Sequence, residues 1–130
     1  MSEAYQPVPT LTALVVDDSQ TERTHLRQIL EAAGYKVLEA PSGDEAKTAA
    51  TYYLPDLILL DILMDNGDGY QACRAIKRNA STQHIPILMV SGKSNSVDKI
   101  WAEKQGASGY ITKPYHAQDI LKGIAALTNF

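Results

Sequence analysis

The sequence predicts a doubly wound α/β fold, and three observations predict it. Five short apolar runs alternate with five segments of helical periodicity. The third and fourth runs are nearly unbroken stretches of Leu, Ile, Met and Val, the pattern of strands buried on both faces of a parallel sheet. Right-handed crossovers between parallel strands then wind the chain into one sheet with helices on both sides.

Each element has its own local signal. The strands are read at Leu11 to Val16, Tyr35 to Ala40, Leu57 to Leu60, Ile85 to Val90 and Tyr110 to Thr112. Ser19-Gln20-Thr21-Glu22 fits a capping box at the start of the first helix. Leu26, Ile29, Leu30 and Ala33 repeat at helical spacing behind it, and Gly34 supplies a left-handed stop. Ser42-Gly43-Asp44-Glu45 repeats the box before Ala46, Ala49, Ala50 and Tyr53. Tyr70, Cys73, Ile76 and Lys77 mark a third helix. Val97, Ile100, Trp101 and Lys104 mark a fourth, ended by Gly106. Ala117, Ile120, Leu121, Ile124 and Leu127 mark a fifth.

Composition narrows the function classes. The 130 residues suit one compact domain, read as 11–130 behind a flexible tail, 1–10, that carries Pro7 and Pro9. A formal net charge of −3 gives no basic footprint for nucleic acid. No apolar run approaches the roughly 20 residues that cross a bilayer, and the first ten residues lack the pattern of a signal peptide. Cys73 is the only cysteine, which excludes an internal disulfide and fits a reducing, cytoplasmic setting.

The chemistry gathers at strand ends. Asp17 and Asp18 end the first strand, and Asp61 ends the third. In a flavodoxin-like sheet of order 2-1-3-4-5 those two strands are neighbours, and ligands bind beyond their carboxyl ends. Three carboxylates brought together repel one another unless a cation sits among them. An all-oxygen set favours a hard cation such as Mg²⁺. Ser91 and Lys113 close the fourth and fifth strands at the same edge. A carboxylate can attack phosphorus, while a metal and an ammonium neutralise the phosphoryl oxygens. Each residue alone has a plainer reading: Asp17 and Asp18 as a solvated strand end or helix cap, Ser91 as a turn residue, Lys113 as a surface charge. Asp61 interrupts an apolar run and is harder to read that way, since a buried carboxylate needs partners.

Four motifs in order resemble the receiver domain of bacterial response regulators. They are Val15-Val16-Asp17-Asp18-Ser19, Leu59-Leu60-Asp61-Ile62-Leu63-Met64, Val90-Ser91-Gly92 and Tyr110-Ile111-Thr112-Lys113-Pro114. Ser91 lies 30 residues after Asp61 and Lys113 lies 52 after it, which are the family's separations. The resemblance implies that Asp61 accepts a phosphoryl group. It implies that Asp18 ligates Mg²⁺ directly, Asp17 partly through water, and Leu63 through its carbonyl. Ser91 and Lys113 would contact the phosphoryl group, Tyr110 would be the aromatic switch, and the Lys113–Pro114 bond would be cis. The implied partners are a sensor histidine kinase or phosphotransfer protein as donor, and an output protein met by the fourth-helix surface that carries Lys99, Glu103 and Tyr110. With no DNA-binding segment after the fifth helix, output is expected through protein contact, with no catalysis on a separate substrate. The segment Asp98-Lys99-Ile100-Trp101, with Gln105-Gly106-Ala107 and Tyr110, further resembles stand-alone regulators of type IV pilus twitching motility.

One departure stands out. The family usually places proline after Leu63-Met64, and this chain has Asp65, followed by Asn66-Gly67-Asp68-Gly69, a more acidic turn that bears on phosphoryl lifetime. Lys93 occupies a position at which the family tunes hydrolysis. Three rival readings fit the sequence less well. An aspartate-based phosphohydrolase wants a second acid where Leu63 stands. A flavodoxin-like cofactor carrier wants a phosphate loop where Asp17 and Asp18 stand. A receiver-shaped scaffold that is never phosphorylated does not account for the intact constellation. His25, His84 and His116 have no metal-ligand spacing and are read as surface residues, and Trp101 as a packing residue.

Overall fold

In a computed structural model, which describes residues 10–64, 69–92 and 95–127, the five strands and five helices alternate as expected. In chain order they are β1 Thr12–Val16, α1 Gln20–Ala32, β2 Lys36–Ala40, α2 Gly43–Tyr53, β3 Leu57–Leu60, α3 Gly69–Arg78, β4 Ile87–Ser91, α4 Ser96–Lys104, β5 Gly109–Thr112 and α5 Ala117–Leu127. The sheet order is β2-β1-β3-β4-β5 and every pair is parallel. The tail 1–9, the turn Asp65 to Asp68, and Lys93 lie outside the described residues.

Alternation along the strands divides the core into two layers. Leu14, Val16, Ile58, Leu60, Ile87 and Met89 face Ala46 and Ala50 of α2, Cys73 and Ile76 of α3, and Ala102 of α4. Ala13, Val15, Leu57, Leu59, Leu88 and Val90 face Leu26 and Leu30 of α1 and Ile120 and Ile124 of α5. Both serines cap their helices, although the Ser19 amide goes to Asp17 and not to Glu22 as a full box would have it. The hydroxyl of Ser19 accepts the Glu22 amide at 3.3 Å, and that of Ser42 accepts the Glu45 amide at 3.2 Å. Gly34 takes φ +96° and α1 ends with the Tyr35 amide on the Leu30 carbonyl at 3.0 Å. Ser19→Ala is expected to cost about 1 kcal/mol of stability, read as a lower urea midpoint with an unchanged m-value.

The fourth helix forms where its periodicity predicts it, Ser96–Lys104. Its apolar repeat does not face the core: Val97, Ile100 and Trp101 are 71%, 53% and 50% exposed. Small Ala102 is the residue that α4 buries. Trp101 does touch a neighbour, standing edge-on to Tyr70 of α3 with ring centroids 6.3 Å apart. Tyr53, at the end of α2, is also exposed rather than packed.

Candidate functional site

The site is built by the register of the sheet. Val16 lies opposite Leu60, so the residues that follow them, Asp17 and Asp61, emerge side by side. The Asp61 amide donates to the Val16 carbonyl at 3.0 Å. Carboxylate oxygens of Asp17, Asp18 and Asp61 all lie within 4.8 Å of one another. Asp17 and Asp61 are buried, while Asp18 faces solvent. Each buried acid has a local amide to steady it. Asp17 accepts the Ser19 amide at 2.9 Å, and Asp61 accepts the Leu63 amide at 3.1 Å.

Lys113 reaches this cluster from the end of β5. Its amide donates to the Ser91 carbonyl at 2.8 Å, which ties β5 to the end of β4. Its ammonium sits 2.9 Å from Asp17, 3.8 Å from Asp61 and 3.8 Å from Glu22 of α1. The Lys113–Pro114 bond is cis. Burial works against the lysine charge, yet the hydrogen bond to Asp17 and the charges of Asp61 and Glu22 hold its pKa above the ordinary value. One lysine does not balance three carboxylates. Burial pushes Asp61 up to about 6, the negative charges of Asp17 and Asp18 add to that, and Lys113 and the Leu63 amide pull the other way.

Ser91 is fully buried at the end of β4. The Tyr110 hydroxyl hydrogen-bonds the Ser91 side chain, and its ring packs partly buried against the core layer of α2, α3 and α4. Burial raises the Tyr110 pKa, as do Asp98 and Asp61, against the hydrogen bond from Ser91. Lys99, Glu103 and Tyr110 line one shallow pocket between α4 and β5. Leu63 is half exposed beside Asp61. His25, His84 and His116 are exposed, and His25 stacks on Tyr115 at 5.4 Å.

Three neighbours of the site were not singled out for it from the sequence. Glu22 has the sequence signature of a capping residue, and it also faces Lys113. Arg23 donates to the Asp17 carbonyl at 2.7 Å and pairs with Glu39 at 3.1 Å. Gly69 opens α3 directly against the backbone of Asp61 and Ile62. The position of Arg23 on the first turn after Asp17-Asp18 is the one signal that could have pointed to it. Its pairing with β2 is a long-range contact that no local pattern carries.

Residues 13–125 match the response regulator receiver domain. Protein PilH of Pseudomonas aeruginosa is 40% identical over 114 residues, which cover 88% of this chain and 94% of PilH. Protein PilG of the same organism is 34% identical, over 89% of this chain and 86% of PilG. Longer curated relatives also match, and of those the chain spans between 26% and 51%. Among solved structures, the chemotaxis protein CheY4 of Vibrio cholerae superposes with a TM-score of 0.87 at 28% identity, over 92% of this chain and 100% of that one.

Proposed function

The chain belongs to the response regulator receiver domain family, and we propose that it is a phosphorylation-dependent interaction switch. The observation that carries this reading is the convergence of Asp17, Asp18 and Asp61 at the carboxyl edge of the sheet, with Lys113 against Asp17 and Asp61. A histidine kinase or phosphotransfer protein is the donor. A carboxylate oxygen of Asp61 attacks phosphorus, the phosphorus–nitrogen bond to the donor imidazole breaks, and an aspartyl-phosphate forms.

The donor set fits Mg²⁺. All ligand atoms are oxygens, they lie close together, and three carboxylates face a single ammonium among the described residues. Asp18, Asp17, Asp61 and the Leu63 carbonyl would hold the ion. When bound, Mg²⁺ neutralises the phosphoryl oxygens. Lys113 turns its ammonium to the same oxygens while its salt bridge to Asp17 anchors it at the edge of the site. Ser91 supplies a hydroxyl to the new phosphoryl group, which draws it from Tyr110. That exchange biases the position of the Tyr110 ring and with it the α4–β5 surface of Lys99 and Glu103, a shift between two pre-existing states.

Output then runs through contact with another protein and not through turnover of a separate substrate. The α4 sequence and the likeness to PilH and CheY4 point to pilus-motility or chemotaxis-like control. No described helix is long and apolar enough to cross a membrane, and the cytoplasm is the proposed site of action. Amide spectra recorded with beryllofluoride, a phosphoryl mimic, test the switch. Shifts at Asp61, Ser91, Tyr110 and residues 99–103 that require Mg²⁺ are expected. Shifts confined to Asp61 and its neighbours would remove the switch from this account.

A further inference from the structure

Arg23 reaches in two directions from the first turn of α1. Its Nε meets a carboxylate oxygen of Glu39 at 3.1 Å, and its Nη1 donates to the Asp17 carbonyl at 2.7 Å. The other oxygen of Glu39 takes Arg27, one turn further along α1, at 2.7 Å. A carboxylate commonly binds one guanidinium through two parallel bonds. Glu39 instead divides itself between two arginines, and Nε of Arg27 is left buried with no hydrogen-bond partner. The division leaves Nη1 of Arg23 directed at Asp17. The Arg23 and Glu39 side chains are only 14% and 23% exposed, so little water competes for these bonds.

The Asp17 carbonyl belongs to the peptide that leads into Asp18. The Asp17 amide is held by the Ala40 carbonyl at 3.2 Å, and its carboxylate by the Ser19 amide at 2.9 Å. The Arg23 bond is a side-chain clamp on the next peptide plane, and that plane sets the direction in which Asp18 leaves the backbone. We propose that Arg23, oriented by Glu39, is a positioning residue for the metal site: it fixes the Asp17–Asp18 peptide so that the Asp18 carboxylate meets those of Asp17 and Asp61. This rests on the Mg²⁺ reading given above.

Charge alone predicts the opposite sign. A guanidinium near a cation site repels the cation, so its removal should tighten binding. Positioning predicts that removal weakens it, as loss of a group that orients a ligand commonly does by 10- to 100-fold. The two arginines separate this role from general support of α1, since both pair with Glu39 and only Arg23 touches Asp17.

The test is calorimetric titration of Mg²⁺ into the wild type, Arg23→Ala, Arg23→Lys and Arg27→Ala, with thermal unfolding run beside it. Arg23→Ala is expected to raise the Mg²⁺ dissociation constant roughly tenfold or more. Arg23→Lys should recover part of that loss, because an ammonium can hold the carbonyl but not the carbonyl and Glu39 in the same fork. Arg27→Ala should bind Mg²⁺ as the wild type does. Unchanged or tighter binding in Arg23→Ala overturns the proposal, as do equal losses in the Arg23 and Arg27 variants. If Arg23→Ala does not fold, Arg23→Lys beside Arg27→Ala decides the question by the same comparison. A wild type that does not bind Mg²⁺ would fail the metal reading itself, a separate result from any difference among the variants.

Discussion

Asp61→Asn is expected to make the metal-free protein more stable at pH 7 while removing its capacity to be phosphorylated. The Asp61 carboxyl has its pKa raised from an ordinary 3.8 to about 6, first by burial and then by the charges of Asp17 and Asp18. The folded state thus binds this proton more tightly than the unfolded chain does. The sign follows from linkage. Stability from Asp61 is fully present below about pH 4, falls as pH rises, and is lost once pH passes about 6. Asparagine keeps the shape and carries no charge, so at pH 7 it should unfold roughly 2–3 kcal/mol later than the wild type. Melting curves of the two proteins without metal should converge near pH 4. Saturating Mg²⁺ should stabilise the wild type more than the variant, because the ion compensates a charge that asparagine lacks. Equal stability of the two proteins at every pH would mean that burial and the neighbouring carboxylates do not raise the Asp61 pKa as described.

Gly69→Ala is expected to be the most damaging small substitution near the site. A Cβ built on Gly69 would stand 2.5 Å from the Asp61 carbonyl oxygen, 2.5 Å from the Ile62 Cα and 2.7 Å from the Ile62 carbonyl oxygen. All three are backbone atoms, so no side-chain rotation relieves the contact. Either α3 shifts away from β3 or the Asp61–Ile62 segment moves, and the segment carries the proposed phosphoacceptor. The expected cost is about 3 kcal/mol, at the upper end for an added methyl group in a packed site. Urea unfolding with and without Mg²⁺ would show a lower midpoint and a smaller Mg²⁺ gain. A variant that matches the wild type in both would show that α3 and the Asp61 segment have slack between them.

The glycine illustrates where the sequence is readable and where it is not. In the sequence Gly69 closes an acidic turn, and its tight contact comes from the packing of α3 against the Asp61–Ile62 backbone, which no local pattern records. The strands were readable because β3 and β4 are buried on both faces and so are apolar throughout. The helix starts were readable because Ser19 and Ser42 satisfy amides three residues on, a purely local matter. On α4 the helix was legible and the direction of its apolar face was not. Val97, Ile100 and Trp101 repeat at helical spacing, and periodicity defines a face without saying that the face turns inward. Asp17, Asp18, Asp61, Ser91 and Lys113 could be gathered from sequence because each ends a strand, and parallel strand ends share one edge. Arg23 and Glu39 could not, because their meeting depends on how α1 lies over β2.

The measurement that bears most directly on the central claim is the intact mass after incubation with acetyl phosphate, taken for the wild type and Asp61→Asn with and without Mg²⁺. A gain of one phosphoryl group in the wild type alone, and only with Mg²⁺, is the predicted result. An unchanged wild-type mass under conditions in which calorimetry shows Mg²⁺ bound and the beryllofluoride spectra show no response at Asp61 would contradict it, and would make the chain a receiver-shaped scaffold that is never phosphorylated.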